Sequence, residues 1–448
     1  MRFVSTRAAP DSPGEVSFRE ALFRGLAPDG GLYRPVHPPD LRSLFSSLSP
    51  RAPFPELADA VCRELLGEEL GSPAVSRIVR RAFPFAPQLR PLEPGLRLLE
   101  LFHGPTCAFK DFGACFQAAA MEELLRSGER RVLILVATSG DTGSAVARAF
   151  YRRAGIDVAI LYPSGRVSPL QEKQLTTLGG NVTAFEVAGS FDDCQRLAKQ
   201  AFRDEELARR LALSSANSIN LGRLLPQSFY YVYGFTRRAA SPGTPGSPLR
   251  FCVPSGNFGN LTAGVYAWQW GLPVGGFLAA TNANDVVPEY LATGVYRPRP
   301  SLATLSNAMD VGDPSNFERL QAVFAGDLRA MRELIHGESV TDAETRETLR
   351  RVYEEHGLLL DPHTAVGVRA ARRFRKKTGF AGELLVLATA HPGKFPQIVQ
   401  EATGVAPELP PALRELAGLT KRSVPISARF EELKGQLLSR YAGSERLL

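Results

Sequence analysis

HGPTCAFKDFGACF, residues 103–116, sets one lysine, Lys110, between Phe109 and Phe112, directly after a Gly-Pro turn. Upstream, LRLLELF (96–102) is an almost continuous apolar run and reads as a buried strand. Downstream, DFGACFQAAAMEELLRSG (111–128) repeats apolar residues at helical spacing through Phe112, Phe116, Ala119, Ala120 and Leu124, with Gly128 placed to stop the helix. Strand, tight turn and helix are the parts of an α/β fold. The same reading puts Lys110 at or near a helix start, with aromatic walls. Desolvation and the positive helix end both disfavour an ammonium there and lower its pKa, and a lysine poised that way can form a Schiff base. The plain alternative is a surface lysine whose stem covers apolar surface.

Working outward, short apolar runs recur at RVLILVAT (131–138), IDVAILYP (156–163), NVTAFEV (181–187), LRFCVP (249–254), VGGFLAAT (274–281) and ELLVLATA (383–390), with helical patterns between most of them. Continuous apolar strands joined by helices imply parallel sheets covered on both faces. Residues 1–95 are rich in Pro and Arg and carry helical stretches such as SFREALFRGLA and FPELADAVCRELLG, as expected of an N-terminal section wrapped on the rest. RRAASPGTPGSPLR (237–250) is the clearest loop. The expected organisation is this N-terminal section, a smaller α/β lobe with the Lys110 segment over 96–236, and a larger α/β lobe with C-terminal helices over 249–448.

The chain has 448 residues, 44% hydrophobic and 22% charged, which is ordinary for a soluble globular enzyme with a large core. No apolar run reaches membrane-spanning length, and MRFVSTRAAPDSPGE lacks the apolar centre of a signal peptide. Five cysteines, an odd number with no CxxC, point to reduced thiols in a cytoplasm rather than disulfides or zinc, and the six histidines show no metal-ligand spacing, so no metal is expected. The net charge of +7 is spread over the chain. Its densest stretch, VRAARRFRKKTG (368–379), reads as a solvated helix face; without interleaved aromatics it does not suggest a nucleic-acid partner.

Three strand-to-helix junctions have compositions suited to chemistry. ATSGDTGSAVARAF (137–150) ends a strand, turns on glycines and opens an Ala-rich helix; its hydroxyls and helix-start N–H groups suit a carboxylate or phosphate, though plain N-capping explains it as well. FCVPSGNFGNLTAGVYAWQWG (251–271) places two glycines, two asparagines and a serine in the six residues SGNFGN, a nest of N–H groups able to hold a phosphate dianion; it is not GxGxxG, which disfavours a dinucleotide. LLVLATAHPGKFPQ (384–397) ends a strand at Thr389, whose hydroxyl could meet a ring nitrogen, unless the segment is only a turn. A lysine in an aromatic pocket, a phosphate nest and an anion-binding helix start together make the set a pyridoxal phosphate enzyme needs.

HGPTCAFKDFG, TSGDTGSA, PSGNFGN, SSANSINLGRLLPQ (214–227), ATNANDVVPEYL (280–291), LSNAMDVGDPSNFERL (305–320), DPHTAVG (361–367), ATAHPGKF (388–395) and PDGGLY (28–33) strongly resemble threonine synthase, in its longer bacterial and fungal branch, in consistent order over residues 1 to about 400. The resemblance implies the fold type II architecture of the tryptophan synthase β-like pyridoxal phosphate enzymes, with two parallel-sheet lobes. It implies conversion of O-phospho-L-homoserine and water to L-threonine and phosphate, the last step of threonine biosynthesis, in a cytoplasmic monomer or homodimer. By motif, Lys110 would hold pyridoxal 5'-phosphate as a Schiff base and move the Cα proton. Gly256, Asn257, Phe258, Gly259 and Asn260 would cradle its phosphate, and Thr389 would meet its ring nitrogen. Ser139, Gly140, Asp141 and Thr142 would hold the substrate carboxylate. Arg166, Ser168 and Lys173, with Asn217, Ser218, Asn220 and Arg223, would take the substrate phosphate. Arg166 stands where lysine is as common in the family, and Gly393 where alanine is. The nearest alternative is a pyridoxal phosphate lyase on this scaffold that releases 2-oxobutyrate from the same substrate; a phosphate-binding regulator without catalysis is further off, because Lys110 is intact.

Overall fold

The computed structural model describes residues 1–9, 14–125, 131–138, 140–238 and 248–442. Its strands are β1 (Phe3–Ser5), β2 (Tyr33–Pro35), β3 (Gln88–Glu93), β4 (Leu96–Glu100), β5 (Val132–Ala137), β6 (Ile156–Pro163), β7 (Val182–Ala188), β8 (Ala212–Ser214), β9 (Leu249–Pro254), β10 (Gly276–Thr281), β11 (Ile335–Ser339), β12 (Glu383–Ala388) and β13 (Val424–Ser427). The apolar runs of the sequence are strands, and the central ones are buried over almost their whole length because helices cover both faces. One sheet has the order β11-β10-β9-β12-β4-β3, parallel except for the antiparallel edge β3; the other, β13-β7-β6-β5-β8, is parallel throughout. β1 and β2 form a separate antiparallel pair.

Strand pairing crosses the boundaries expected from sequence. β4, expected in the smaller lobe, pairs with β12 in the six-stranded sheet. β13, expected in the larger lobe, pairs with β7 in the five-stranded sheet, and the helix after it, Phe430–Tyr441, buries Leu433 and Leu437 with Cys194 and Leu197 of that lobe. The reason is that a parallel strand takes its neighbour from wherever the chain returns at the correct end, and hydrophobic pattern does not encode that order.

The N-terminal section packs through helices Phe18–Arg24, Phe54–Leu70 and Ser72–Ala82 into the main core. Phe54 and Phe83 meet Phe112 edge-on and tilted at 5.3 and 6.0 Å between ring centroids. Phe112 therefore faces this core and does not wall Lys110: the helical spacing identified an apolar face but not the neighbour it meets. The arginines of 368–379 lie on helix Pro362–Thr378, and Arg369, Arg372 and Arg373 are paired with Glu344, Glu93, Glu355 and Glu338 rather than simply solvated. All five cysteines are free and buried. Among the described residues no helix is long and apolar enough to cross a membrane.

Candidate active site

The site lies at the carboxyl ends of the parallel strands, where loops of both sheets converge. β4 ends at Glu100, and the following loop is strapped to the end of β12: Leu101 N–H donates to Ala388 O (2.9 Å), Phe109 N–H to Thr389 O (2.8 Å) and His391 N–H to Cys107 O (3.0 Å). Cys107 takes a left-handed φ of 58°, which turns the chain into helix Lys110–Leu124. The buried Asp111 carboxylate accepts from Thr106 N–H (2.8 Å) and Thr106 Oγ1 (2.6 Å), closing the turn from inside the helix start. Gly128 and most of the 237–250 loop lie outside the described residues.

Lys110 is thus held rigidly, with its side chain only 14% exposed. Its Nζ lies 3.6 Å from Asp141 Oδ2 and 5.6 Å from the centroid of the Phe109 ring. The other Asp141 oxygen, Oδ1, is 2.7 Å from Lys394 Nζ and accepts from Gln171 Nε2 at 2.9 Å. Lys394 also donates to Thr106 O (3.0 Å), and its side chain is completely buried. Burial, then the Lys394 ammonium and the Arg223 guanidinium, push the Lys110 amine below the ordinary lysine range, against the opposing pull of Asp141. Burial alone would raise the Asp141 carboxyl, but the two lysines outweigh it and hold it below the usual carboxylate range. Asp111 is pushed up to about 6 by burial, which its hydrogen bonds only partly offset.

Asp141 opens helix Asp141–Phe150 after Gly140, whose φ of 143° and whose contact with Gln171 (a Cβ would lie 2.7 Å from its side chain) leave room only for glycine. Ser139 lies outside the described residues. The Gly140 N–H donates to Thr138 Oγ1 (3.0 Å) and the Asp141 side chain faces two lysines, so among the described residues of this loop the groups left to hold a substrate carboxylate are the Asp141 and Thr142 N–H groups and the Thr142 hydroxyl.

The second expected element, Gly256–Asn260, follows β9 and starts helix Gly259–Gln269. Phe258 adopts a left-handed φ of 60°. The Asn260 side chain fixes the turn: Nδ2 donates to Pro254 O (2.8 Å), and Oδ1 accepts from Ser255 Oγ (2.7 Å). Asn257 bridges outward, donating to Ser218 Oγ (2.6 Å) and accepting from Ser315 N–H (2.6 Å). Among the described residues, none of the five backbone N–H groups from Gly256 to Asn260 has a hydrogen-bond partner. Five such donors in one turn, at a helix N-terminus, fit a phosphate. Thr389, 5% exposed at the end of β12, has a hydroxyl with no hydrogen-bond partner among the described residues. Lysine, N–H nest and free hydroxyl fit pyridoxal phosphate.

The residues expected to take the substrate phosphate divide. Arg223 is buried, with its backbone oxygen only 2.6 Å from where a Cβ on Gly113 would sit, one turn along from Lys110. Its Nη1 donates to Ala216 O. Ser218 is engaged by Asn257, and the Asn217 amide donates to Ala137 O (3.3 Å). Ser168 caps helix Pro169–Thr176, Lys173 is partly exposed on that helix, and Arg166 is exposed beside it. Asn220 differs from expectation. It is fully buried, donates both amide hydrogens to Leu22 O (2.9 Å) and Ser215 O (2.8 Å), and caps Gly222 N–H (2.8 Å). With its donors spent inside the fold, it shapes the loop and has none to offer a phosphate. Sequence reasoning also missed Asp111, Gln171 and Lys394 as members of the buried polar cluster; the only sequence signal was Lys394 itself, three residues after His391.

Comparison with known proteins agrees with this geometry. The model of the "Pyridoxal-phosphate dependent enzyme" family matches residues 92–390, "Threonine synthase N terminus" matches 2–83 and "Threonine synthase, C-terminal" matches 364–436. The chain is 43% identical to the threonine synthase of Serratia marcescens, over 96% of this chain and 97% of that protein. It superposes on the crystal structure of threonine synthase from Escherichia coli with a TM-score of 0.89 and 40% identity, covering 98% of this chain and 100% of the other. The crystal structure of pyridoxal-phosphate-bound threonine synthase from Brucella melitensis gives a TM-score of 0.89 and 36% identity, covering 98% and 99%.

Proposed function

The chain belongs to the threonine synthase family, and from that premise we propose that it converts O-phospho-L-homoserine and water to L-threonine and phosphate, with Lys110 carrying the cofactor. It is a pyridoxal-phosphate-dependent lyase of the tryptophan synthase β-like fold. The observation that carries the site assignment is the sheltered Lys110 amine on a loop strapped through Phe109 N–H to Thr389 O, with the Thr389 hydroxyl and the five N–H groups of Gly256–Asn260 unpaired among the described residues.

Lys110, the N–H groups of Gly256–Asn260 and the Thr389 hydroxyl are the residues that would hold pyridoxal phosphate. The bound group would supply an electron sink conjugated to the substrate α-carbon. Lys110, whose proton is loosened by burial and neighbouring cations, then takes the proton from Cα and later returns one. Thr389 offers a neutral hydroxyl where a carboxylate would keep a ring nitrogen protonated, which moderates that sink. The N–H groups of Asp141 and Thr142, with Ser139 and the Thr142 hydroxyl, orient the substrate carboxylate; the Gly140 N–H is taken by Thr138 Oγ1, and the Asp141 side chain stays on the lysines. Arg166 and Lys173, before and along helix Pro169–Thr176, and Arg223 supply charge for the substrate phosphate, Ser168 and Ser218 offer hydroxyls, and Asn217 and Asn220 shape the loop that carries Ser218. The enzyme acts in the cytoplasm on this small molecule, as a monomer or homodimer; five free buried thiols suit a reducing compartment.

The test is product analysis. Protein loaded with pyridoxal phosphate is mixed with O-phospho-L-homoserine, and phosphate and carbon product are both quantified. Phosphate with equimolar threonine is the expected result. Phosphate with 2-oxobutyrate would reassign the outcome, and no phosphate would refute the substrate.

A further inference from the structure

Two lysines share one buried carboxylate at this site, and they share it unequally. Lys394 Nζ lies 2.7 Å from Asp141 Oδ1 and has no exposed side-chain surface; Lys110 Nζ lies 3.6 Å from Oδ2 and keeps 14% exposure. Lys394 has a further acceptor in Thr106 O at 3.0 Å, and Gln171 donates to the same Asp141 oxygen at 2.9 Å. A single carboxylate balances a single buried ammonium. The geometry favours Lys394 on both counts, distance and an additional acceptor.

We infer that Lys394 is a positioning residue for Lys110: its ammonium takes up the Asp141 carboxylate and so deprives Lys110 of the anion that would hold a proton on it. This rests on Lys110 being the cofactor lysine. The groups facing Lys110 are Asp141 from helix Asp141–Phe150, Lys394 from the turn after β12 and Arg223 from helix Leu221–Leu224; Asp111 follows it on its own helix. Those facing Lys394 are Asp141, Asp111 and the Cys107 thiol. Both cations near Lys110 oppose its protonation, and Asp141 is the one anion that favours it. Removing Lys394 therefore leaves an unbalanced carboxylate against Lys110, which then holds its proton more tightly. A merely structural Lys394, joining the turn Pro392–Lys394 to helix Asp141–Phe150, would affect stability without moving the titration of Lys110.

The experiment uses full-length protein stripped of cofactor. The rate at which Lys110 captures added pyridoxal phosphate is followed by absorbance across pH, and the adduct is located by borohydride reduction and mass spectrometry. In the wild type the midpoint should fall below about 10.4, the value of an ordinary lysine. Lys394→Met should raise it by at least about one pH unit, reducing the neutral amine on the order of tenfold near pH 7. Lys394→Arg should stay near the wild type. Asp141→Asn combined with Lys394→Met should return toward it, since Asp141, the anion that faces Lys110, is then gone as well. An unchanged midpoint in folded Lys394→Met overturns the inference. So does an ordinary lysine midpoint in the wild type, which needs no variant to fold. Capture at another lysine, or no capture, refutes instead the underlying assignment of Lys110.

Discussion

Asn220→Ala separates a loop-building role from a substrate-binding one. The fully buried side chain donates to Leu22 O and Ser215 O and accepts from Gly222 N–H. Truncation removes an N-cap, worth about 1 kcal/mol. It also strips a side-chain donor from two buried carbonyls, at about 1–2 kcal/mol each. The expected loss is about 3–5 kcal/mol. For a chain of 448 residues, with an unfolding entropy of about 2.1 cal/mol/K per residue, this corresponds to a fall of roughly 4 °C in Tm. Calorimetry should show that fall, while steady-state kinetics below the transition should leave KM for O-phospho-L-homoserine within about twofold. Asn220→Asp keeps the cap acceptor but sets a buried carboxylate oxygen against the Leu22 and Ser215 carbonyls, and should lower Tm at least as far as Asn220→Ala. An unchanged Tm with KM raised tenfold or more would refute the reasoning and restore Asn220 as a phosphate ligand.

Lys110→Ala should lose turnover and the visible absorbance of the bound cofactor, while the cofactor-free protein unfolds no earlier than wild type, because a buried amine near other cations has been removed; residual turnover would exclude Lys110. Asp111 in the fold sits at about 6, above its unfolded value of about 4, so the native state binds the extra proton between these values and stability falls as pH rises through that window, by roughly 3 kcal/mol. Asp111→Asn should flatten that segment of a stability-pH curve; an unchanged slope would argue against the raised carboxyl. Gly256→Ala would put a Cβ 2.6 Å from Met309 Cα, a backbone clash costing about 1–3 kcal/mol and distorting the N–H nest, so dialysis should strip pyridoxal phosphate faster than from wild type; equal retention would show the nest is not the anchor.

The central strands were legible because they are buried on both faces and so are written as plain apolar runs. β11 was not: IHGES carries His336 and Glu338, and Glu338 is buried only because Arg373 and Lys377 of helix Pro362–Thr378 converge on it, together with His336 of the same strand. β8 and β13 are short edge strands, with too few buried positions to show a period. Lys110, the SGNFGN turn and Thr389 could be read because each stands at a strand-to-helix junction with its own composition. The buried cluster could not. Nothing in HPGK indicates that Lys394 meets Asp141, and nothing in ANSINLGR distinguishes a cap from a ligand, since asparagine suits both.

The order of strands also sets a timetable for the ribosome. Leu96 pairs with Leu384, and the loop that carries Lys110 is strapped to Thr389 and His391. Lys110 therefore emerges early and waits for its surroundings until almost the whole chain has been made. The five-stranded sheet waits longer still, for β13. Elongating at about 5–20 residues per second, the nascent chain passes many seconds with an unfinished sheet edge and an unassembled site. Neither lobe can be completed as a freestanding unit during synthesis, and a truncation near the C-terminus damages a sheet whose other strands were among the first translated.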